Sequence, residues 1–328
     1  MRILTTKEKI LDILLASQDY VSGEYLAERL GVSRNSVWKA VNTLRSDGFD
    51  IEAVTNKGYA LRSEGNALSE AVIRRYLNEN DEREIHIFES IDSTNNYAKK
   101  LASEGAKGGT VVIAEEQTAG KGRLGRVFCS PAGGSIYLSV VLRPHTDMQS
   151  SQLITSCIAV AAAEAIDSVC KTDTKIKWVN DIFLNGRKIS GILTEASVNF
   201  ESGTLDYAVV GIGINLKSVK NVFSPELLEI ATSIEDETGV MPQRCRLIAK
   251  LLENIDSHIE SIESRKFLDE YRRRSFIVGE RVVVSKISEE RFATAVGIAD
   301  DAGLIVRFDD GKEEVLSSGE ARIVRDRT

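Results

Sequence analysis

A chain of 328 residues is too long for one ordinary hydrophobic core and suits two or three domains. Its 42 % hydrophobic and 28 % charged residues read as globular, and a formal net charge of −7 excludes a protein that coats nucleic acid with its whole surface. Met1–Lys7 lacks an apolar stretch, so no secretory leader is expected, and the most apolar run, Leu153–Ile166, falls short of the ~20 residues of a membrane span. Cys129, Cys157, Cys170 and Cys245 show no CxxC spacing and no histidine partners, which reads as reduced thiols in a cytoplasmic protein.

In residues 1–65 the apolar positions Ile10, Ile13 and Leu14 recur at helical spacing within Lys7–Ser17. Ser22 caps a second predicted helix, Gly23–Leu30, and Ser33 a third that runs to about Asp47 and stops at Gly48. Phe49–Arg62 alternates around Asn56-Lys57-Gly58, the pattern of a hairpin tip. Three helices followed by a hairpin make a winged helix-turn-helix. Residues 62–68 read as a linker. From 69 to 272 the strand-like segments are Ile85–Phe88, Thr110–Glu115, Ser135–Leu142, Lys175–Trp178, Ile182–Leu184, Ile189–Ala196 and Leu205–Ile214. The helix-like segments are Asn95–Glu104, Ser151–Val169 and Arg244–Tyr271. Runs of consecutive strands favour α+β over a doubly wound sheet. Residues 276–328 carry short alternating segments with turns such as Asp309-Asp310-Gly311 between them, the pattern of a small β-barrel.

The first region holds nine Lys/Arg and nine Asp/Glu, so a DNA footprint there has to come from local arrangement. Ser33, Arg34, Asn35, Ser36 and Lys39 fall at the start of the third helix, where a recognition helix meets base edges. Val37, Val41 and Leu44 face inward, and Lys57 at the hairpin tip reaches phosphate. A winged domain that contacts protein instead is the alternative.

Gly120-Lys121-Gly122-Arg123-Leu124-Gly125-Arg126 follows an apolar strand and matches GxGxxG. A dinucleotide fold needs a helix to start at that loop, and Val127–Gly134 is a Pro/Gly stretch leading to another strand, which excludes it. What remains is a glycine loop with three cations in six residues, which an anion such as phosphate would bring together; a solvated surface loop is the alternative. Lys177, Asn180 and Asp181 end a strand, and Lys188 lies in the return Asn185–Leu193, where it reads either as a solvated lysine or as a functional one. Gly211 and Gly213 mark a strand approached closely by a ligand, another backbone or tight sheet packing. The three histidines, His86, His145 and His258, form no Ser-His or Cys-His arrangement.

These motifs in this order, with Ser93-Thr94-Asn95 and Gln117, resemble the biotin–protein ligases, in particular the bifunctional bacterial form that is also the biotin operon repressor. The resemblance covers essentially the whole chain. Lys121 departs from the family's commoner Arg, keeping the charge without the planar fork, and Val179 from its commoner Pro. The resemblance implies a multidomain α+β protein: a winged helix-turn-helix over 1–65, a ligase domain with a mixed sheet over 69–272, and a small SH3-like β-barrel over 276–328. It implies ATP and biotin as substrates with Mg²⁺, biotinyl-5'-AMP as product of a first step, and biotin carboxyl carrier protein, operator DNA and an adenylate-bound homodimer as partners, with no membrane.

Residue by residue it implies biotin contacts from Ser93, Thr94, Asn95, Gln117, Lys121, Gly122, Arg123 and Lys188. Nucleotide contacts would come from Lys121, Arg123, Arg126, Lys177, Asn180, Asp181, Asn215 and Phe223, catalytic roles fall to Lys188 and Arg123, and Asp181 would be the metal ligand. Leu216–Ser233 corresponds to a segment closing over adenine, and Arg322 or Arg325 to a nucleotide contact from the C-terminal barrel. A lipoate or octanoate ligase, or a biotin-sensing regulator without catalysis, are the alternatives.

Overall fold

The computed structural model describes residues 4–144, 151–198, 204–286 and 289–324. They form two compact units, one up to Asp81 with Gln243–Ala249, the other Glu82–Pro242 with the residues from Lys250 onward.

The first unit has α1 (Thr6–Ala16), α2 (Gly23–Leu30), α3 (Arg34–Ser46), and the antiparallel strands β1 (Asp50–Val54) and β2 (Gly58–Ser63). Thr5 and Glu8 make a capping box on α1, while Ser22 and Ser33 cap α2 and α3 by accepting from Tyr25 N and Ser36 N. Gly31, at φ 65°, ends α2 in the left-handed conformation and turns the chain into α3. Ile10, Leu14, Leu26, Val37, Val41 and Leu44 are buried between the helices. Gly58 is required at the wing: a Cβ there would lie 2.1 Å from Val21 O, where β2 meets the α1–α2 connection. A short helix, α4 (Glu70–Tyr76), follows where the sequence showed only a linker and an unassigned stretch.

The second unit is built on a seven-stranded mixed sheet. Its strands are β3 (Ile85–Ile91), β4 (Val111–Gln117), β5 (Ile136–Leu142), β6 (Lys175–Lys177), β7 (Asp181–Leu184), β8 (Arg187–Val198) and β9 (Leu205–Ile214). They lie in the order β3-β4-β5-β9-β8-β7-β6, with β3 and β4 parallel and every other neighbour antiparallel. All seven residues of β5 are buried, which explains why Ser139 is its one small polar residue in an otherwise apolar run. Helix α5 (Thr94–Ser103) packs against β4, β5 and β9, and α6 (Ser151–Cys170) against β6, β7 and β8. The length argument against a membrane span does not hold for α6, since Gln152–Cys170 is long and apolar enough to cross one. It is instead a core helix, with Ile154, Cys157, Ile158, Val160, Ala161, Ala162, Ala163, Ala165 and Ile166 fully buried.

After β9 come two short helices the sequence reading missed, α7 (Pro225–Leu228) and α8 (Ile234–Thr238). The single helix expected over Arg244–Tyr271 is broken into α9 (Arg244–Glu260), a 3₁₀ turn at Ile262–Ser264 and α10 (Phe267–Arg274), with Arg265 in the left-handed conformation between them. The apolar period continues through the break, with Ile255, Ile262, Phe267 and Leu268 all buried, so hydrophobic spacing alone did not mark it. The C-terminal strands β10 (Arg281–Lys286), β11 (Glu289–Ile298), β12 (Leu304–Phe308), β13 (Glu313–Leu316) and β14 (Glu320–Ile323) make the small antiparallel β domain expected there. Their order is β13-β12-β11-β10-β14. This sheet belongs to the same compact unit as the seven-stranded one.

Candidate active site

A cavity of about 310 Å³ opens over the ends of β4, β7, β8 and β9. Ser93, Thr94, Asn95, Gln117, Lys121, Gly122, Arg123, Arg126, Lys177, Asn180, Asp181, Lys188, Asn215 and Phe223 all line it, so the small-molecule site candidates named from the sequence, the C-terminal arginines apart, come to one place.

The glycine loop forms one wall. It is a narrow return in which Gln117 N meets Ser130 O, Phe128 N meets Gly120 O and Gly122 N meets Arg126 O. No helix longer than a three-residue 3₁₀ turn, Arg123–Gly125, starts there. Gly120 is dictated by contact, because a Cβ would lie 2.4 Å from Phe128 O. Arg123 donates to Asn180 Oδ1 (3.1 Å) and to Gly319 O (3.3 Å), and Arg126 holds both oxygens of Glu320 (3.1 and 2.6 Å). The β13–β14 turn therefore grips the loop, and Gly319, Glu320 and Ala321 are the C-terminal residues that reach the cavity. Arg322 instead pairs with Glu290 at 3.4 Å and is absent from the lining; Arg325 and His145 lie outside the described residues. Lys121 is exposed and donates to Asn96 Oδ1 (2.7 Å).

The opposite wall is β7 and β8. Lys188 Nζ lies 2.7 Å from Asp181 Oδ1 in an ion pair that falls outside hydrogen-bond geometry, so Oδ1 is buried without a donor. Asn180 donates its amide to Ile192 O (2.8 Å). The Trp178–Val179 peptide beside it is cis. Lys177 is partly buried, and burial lowers its ammonium pKa; Asp181 and Glu320 oppose that shift while Lys188 and Arg126 add to it. Burial likewise lowers the Arg123 pKa. Five cations thus face two carboxylates around one cavity, in a chain of net charge −7. The surplus positive charge suits a polyanion.

A resident divalent cation can be tested against the donors present. Asp181 Oδ1, buried and without a hydrogen-bond donor, is a fitting oxygen ligand. Among the described residues no group of three or more His, Cys, Asp or Glu could hold a metal. One carboxylate, completed by substrate phosphates and water, is how Mg²⁺ is commonly held, so the residues fit that ion.

Both glycines of β9 line the cavity, and each also makes room for a side chain. A Cβ at Gly211 would lie 2.2 Å from Asn95 Oδ1, and one at Gly213 would lie 2.4 Å from the Phe128 ring. Asn95 is buried, its Oδ1 accepting from Ser139 Oγ (2.6 Å) and its Nδ2 donating to Glu195 Oε2 (2.8 Å). Gln117 Oε1 accepts from Thr94 N (2.9 Å) and Gln117 Nε2 donates to Ser130 Oγ (2.9 Å). Ser139, Glu195, Phe128 and Glu320 were missed from sequence; Gly213, whose Cβ would strike the Phe128 ring, was the one signal, and of Phe128 alone. Asn215 donates to Thr232 O (2.9 Å), and Lys188 shares backbone bonds with Ile230 and Thr232, so the segment after β9 folds back onto β8. Phe223 is half-buried at the cavity edge of that segment.

In the first unit Arg34, Asn35, Lys39 and Lys57 are exposed, with Ser36 half-buried behind the Ser33 cap. Arg34 pairs with Glu24 (2.7 Å) and Lys57 lies over the Tyr20 ring.

Residues 6–60 match a helix-turn-helix domain model, and residues 87–215 match the biotin/lipoate A/B protein ligase family. The bifunctional ligase/repressor BirA of Bacillus subtilis (strain 168) is 32 % identical over 322 residues, covering 97 % of this chain and 98 % of that protein. The chain belongs to this ligase/repressor family. The Escherichia coli (strain K12) member is 30 % identical over 310 residues, covering 94 % of each chain. The biotin protein ligase from Aquifex aeolicus in complex with biotin and ATP superposes with a TM-score of 0.62 at 25 % identity, over 74 % of this chain and 99 % of that one.

Proposed function

We infer that this protein is a biotin–protein ligase and transcriptional repressor. It forms biotinyl-5'-AMP from biotin and ATP and transfers the biotin to a lysine of biotin carboxyl carrier protein. With the adenylate as corepressor it represses transcription of biotin genes. The observation that carries the reading is the five-cation cavity in an otherwise acidic chain that belongs to this family. Residues 1–65 serve as the DNA-binding domain, 69–272 as the catalytic domain and 276–328 as the C-terminal β domain. ATP, carrier protein and operator are all met in the cytoplasm, which is where the activity belongs.

Biotin binds against Ser93, Thr94, Gln117 and the glycine loop, with its carboxylate towards Lys188. A carboxylate oxygen attacks the α-phosphorus of ATP, the bond to the β-phosphate oxygen breaks, and pyrophosphate leaves. Both reactants are anions, so their repulsion is part of the barrier. Lys188 and Arg123 neutralise the carboxylate and α-phosphoryl oxygens; losing one such contact costs about 3 kcal/mol. Lys121, Arg126 and Lys177 hold the remaining phosphates, with Asn180 fixing Arg123 and Phe223 covering the base. Mg²⁺, held by Asp181, would supply further charge neutralisation on the phosphates. The glycine loop and the segment after Asn215 keep water from the mixed anhydride. The acceptor lysine then attacks its carbonyl and AMP leaves. If ordering of these segments completes a dimer surface, adenylate binding and dimerisation strengthen each other equally.

Incubation with biotin and MgATP, followed by mass spectrometry of the released ligand, tests the reading. It predicts biotinyl-AMP. Lipoyl- or octanoyl-AMP with no biotinyl-AMP points to the lipoate-type ligase, and bound biotin without adenylate to a sensor.

A further inference from the structure

The wing of the first unit carries a polar cluster that no part of the ligase reaction uses. Tyr20 lies in the connection between α1 and α2, just before Val21, whose two backbone bonds with Tyr59 (2.8 and 2.9 Å) pin that connection to β2. The Tyr20 hydroxyl donates to Glu52 Oε2 of β1 (2.8 Å) and accepts from Arg62 Nη2 of β2 (2.7 Å). Arg62 Nε donates to the same carboxylate oxygen (2.6 Å). One donated and one accepted bond therefore tie the ring to both strands of the wing. These hydrogen bonds lower the Glu52 pKa, the one from Tyr20 first, so a charged carboxylate faces Arg62. Arg62 Cζ lies 4.9 Å and Lys57 Nζ 5.6 Å from the ring centroid. Arg62 is thus spent on Glu52 and Tyr20. Lys57 is not. At that distance the ring face attracts the ammonium without engaging its N–H groups, and among the described residues no carboxylate forms an ion pair with it. Its three donors remain free at the exposed tip.

We propose that Tyr20 is a positioning residue for DNA: it locks Arg62 onto Glu52 and presents the free ammonium of Lys57 to a backbone phosphate. The inference rests on the first unit being the DNA-binding domain, and adds to it a residue outside both the recognition helix and the wing. A lysine side chain in solvent samples many rotamers, and fixing it at the moment of binding costs entropy. A ring beside the ammonium restricts that sampling before DNA arrives, so less is lost on contact. The Val21–Tyr59 bonds hold the backbone at this point, which sets the tip lysine against the body of the domain. The same lock keeps the Glu52 charge matched by Arg62, so it does not oppose the phosphate. At the exposed-site strength of a cation–π contact, two copies of Tyr20 in a dimer account for about tenfold in affinity.

The test measures binding of the full-length protein, with biotin and MgATP present, to a labelled duplex spanning a biotin-gene promoter and to a shuffled duplex. Fluorescence anisotropy is followed over a series of salt concentrations. Tyr20→Leu, which keeps bulk and loses the ring face, is expected to weaken binding about tenfold on both duplexes. Its slope of log K against log salt stays within about 0.5 of the unmodified protein's, because Lys57 still reaches phosphate once bound. Tyr20→Phe, which keeps the ring face, is expected to lose less than about threefold. Lys57→Ala flattens the slope by about 2 for a dimer, and Arg62→Ala leaves it unmoved. In the Lys57→Ala background, Tyr20→Leu is expected to cost less than about twofold. Hydrogen exchange at the Tyr59 amide, bonded to Val21 O, reports whether the wing still docks and is expected to stay protected in every variant. Equal losses with Leu and Phe, the same loss with and without Lys57, a slope flattened by Arg62→Ala, or lost protection at Tyr59 would each overturn the positioning role. No binding of either duplex by the unmodified protein would overturn the DNA-binding reading instead, so the two failures are told apart.

Discussion

In the proposed reaction, Lys188 and Asp181 are the pair on which the chemistry at the residue scale depends. The ammonium already has a counter-charge 2.7 Å away, so it is held at the cavity wall before any substrate arrives, and arriving anions compete with one carboxylate for it. On the proposed reading, replacing Lys188 with Ala removes the cation that faces the reacting carboxylate. It is expected to slow adenylate formation about 100-fold, from the roughly 3 kcal/mol such a contact supplies, in a single-turnover measurement. A loss below about threefold would take Lys188 out of the reaction. These residues were legible in sequence because cations and glycines crowd into short segments. Glu195 and Ser139 were not, since a carboxylate in a strand and a serine in an apolar strand look ordinary until folding brings both to Asn95.

At the scale of elements, the segment after β9 shows how polar contacts hold a loop alongside its buried Leu216, Val219 and Ile234. Asp236 at the start of α8 accepts from Ser218 Oγ, Val219 N and Ser233 Oγ. Burial works to raise its pKa, but these hydrogen bonds and Lys220 bring it down to about 2. A carboxylate with a depressed folded pKa stabilises the fold fully above its unfolded value near 3.8, and that share is lost as pH falls through about 2. Hydrogen exchange at the Val219 amide is therefore expected to stay protected at pH 5 and to accelerate between pH 4 and 2. Equal protection at pH 5 and 2.5 would contradict that. Strands and long helices in this unit followed from apolar periodicity. The short α7 and α8 did not, because they depend on Ser224 and Ser233 caps and on polar contacts between distant residues. The break between α9 and α10 was hidden for a related reason, as the turn at Arg265 preserves the buried stripe on either side.

Over the whole molecule, two functions share one chain whose net charge disfavours nucleic acid. Arg34 and Lys39 at the start of α3 and Lys57 at the tip of the wing are exposed cations. If each neutralises one phosphate per copy, a bound dimer should show a slope of about −5 in log K against log salt. Lys57→Ala should weaken binding alike on all sequences and flatten the slope by about 2 for the dimer. A salt-independent affinity in a titration of operator DNA would contradict DNA recognition through this face. The order of helices and wing was readable from caps and glycines, whereas the grip of the β13–β14 turn on Arg123 and Arg126 was not, since it joins residues nearly 200 positions apart.

The most direct measurement of the central claim is ATP–pyrophosphate exchange by the purified full-length chain, with biotin, lipoate or no acid added and Lys188→Ala as control. Exchange that requires biotin, is absent with lipoate and falls about 100-fold in the variant is the expected result. Exchange supported by lipoate and not by biotin, or biotin-dependent exchange that ignores the loss of Lys188, would contradict it.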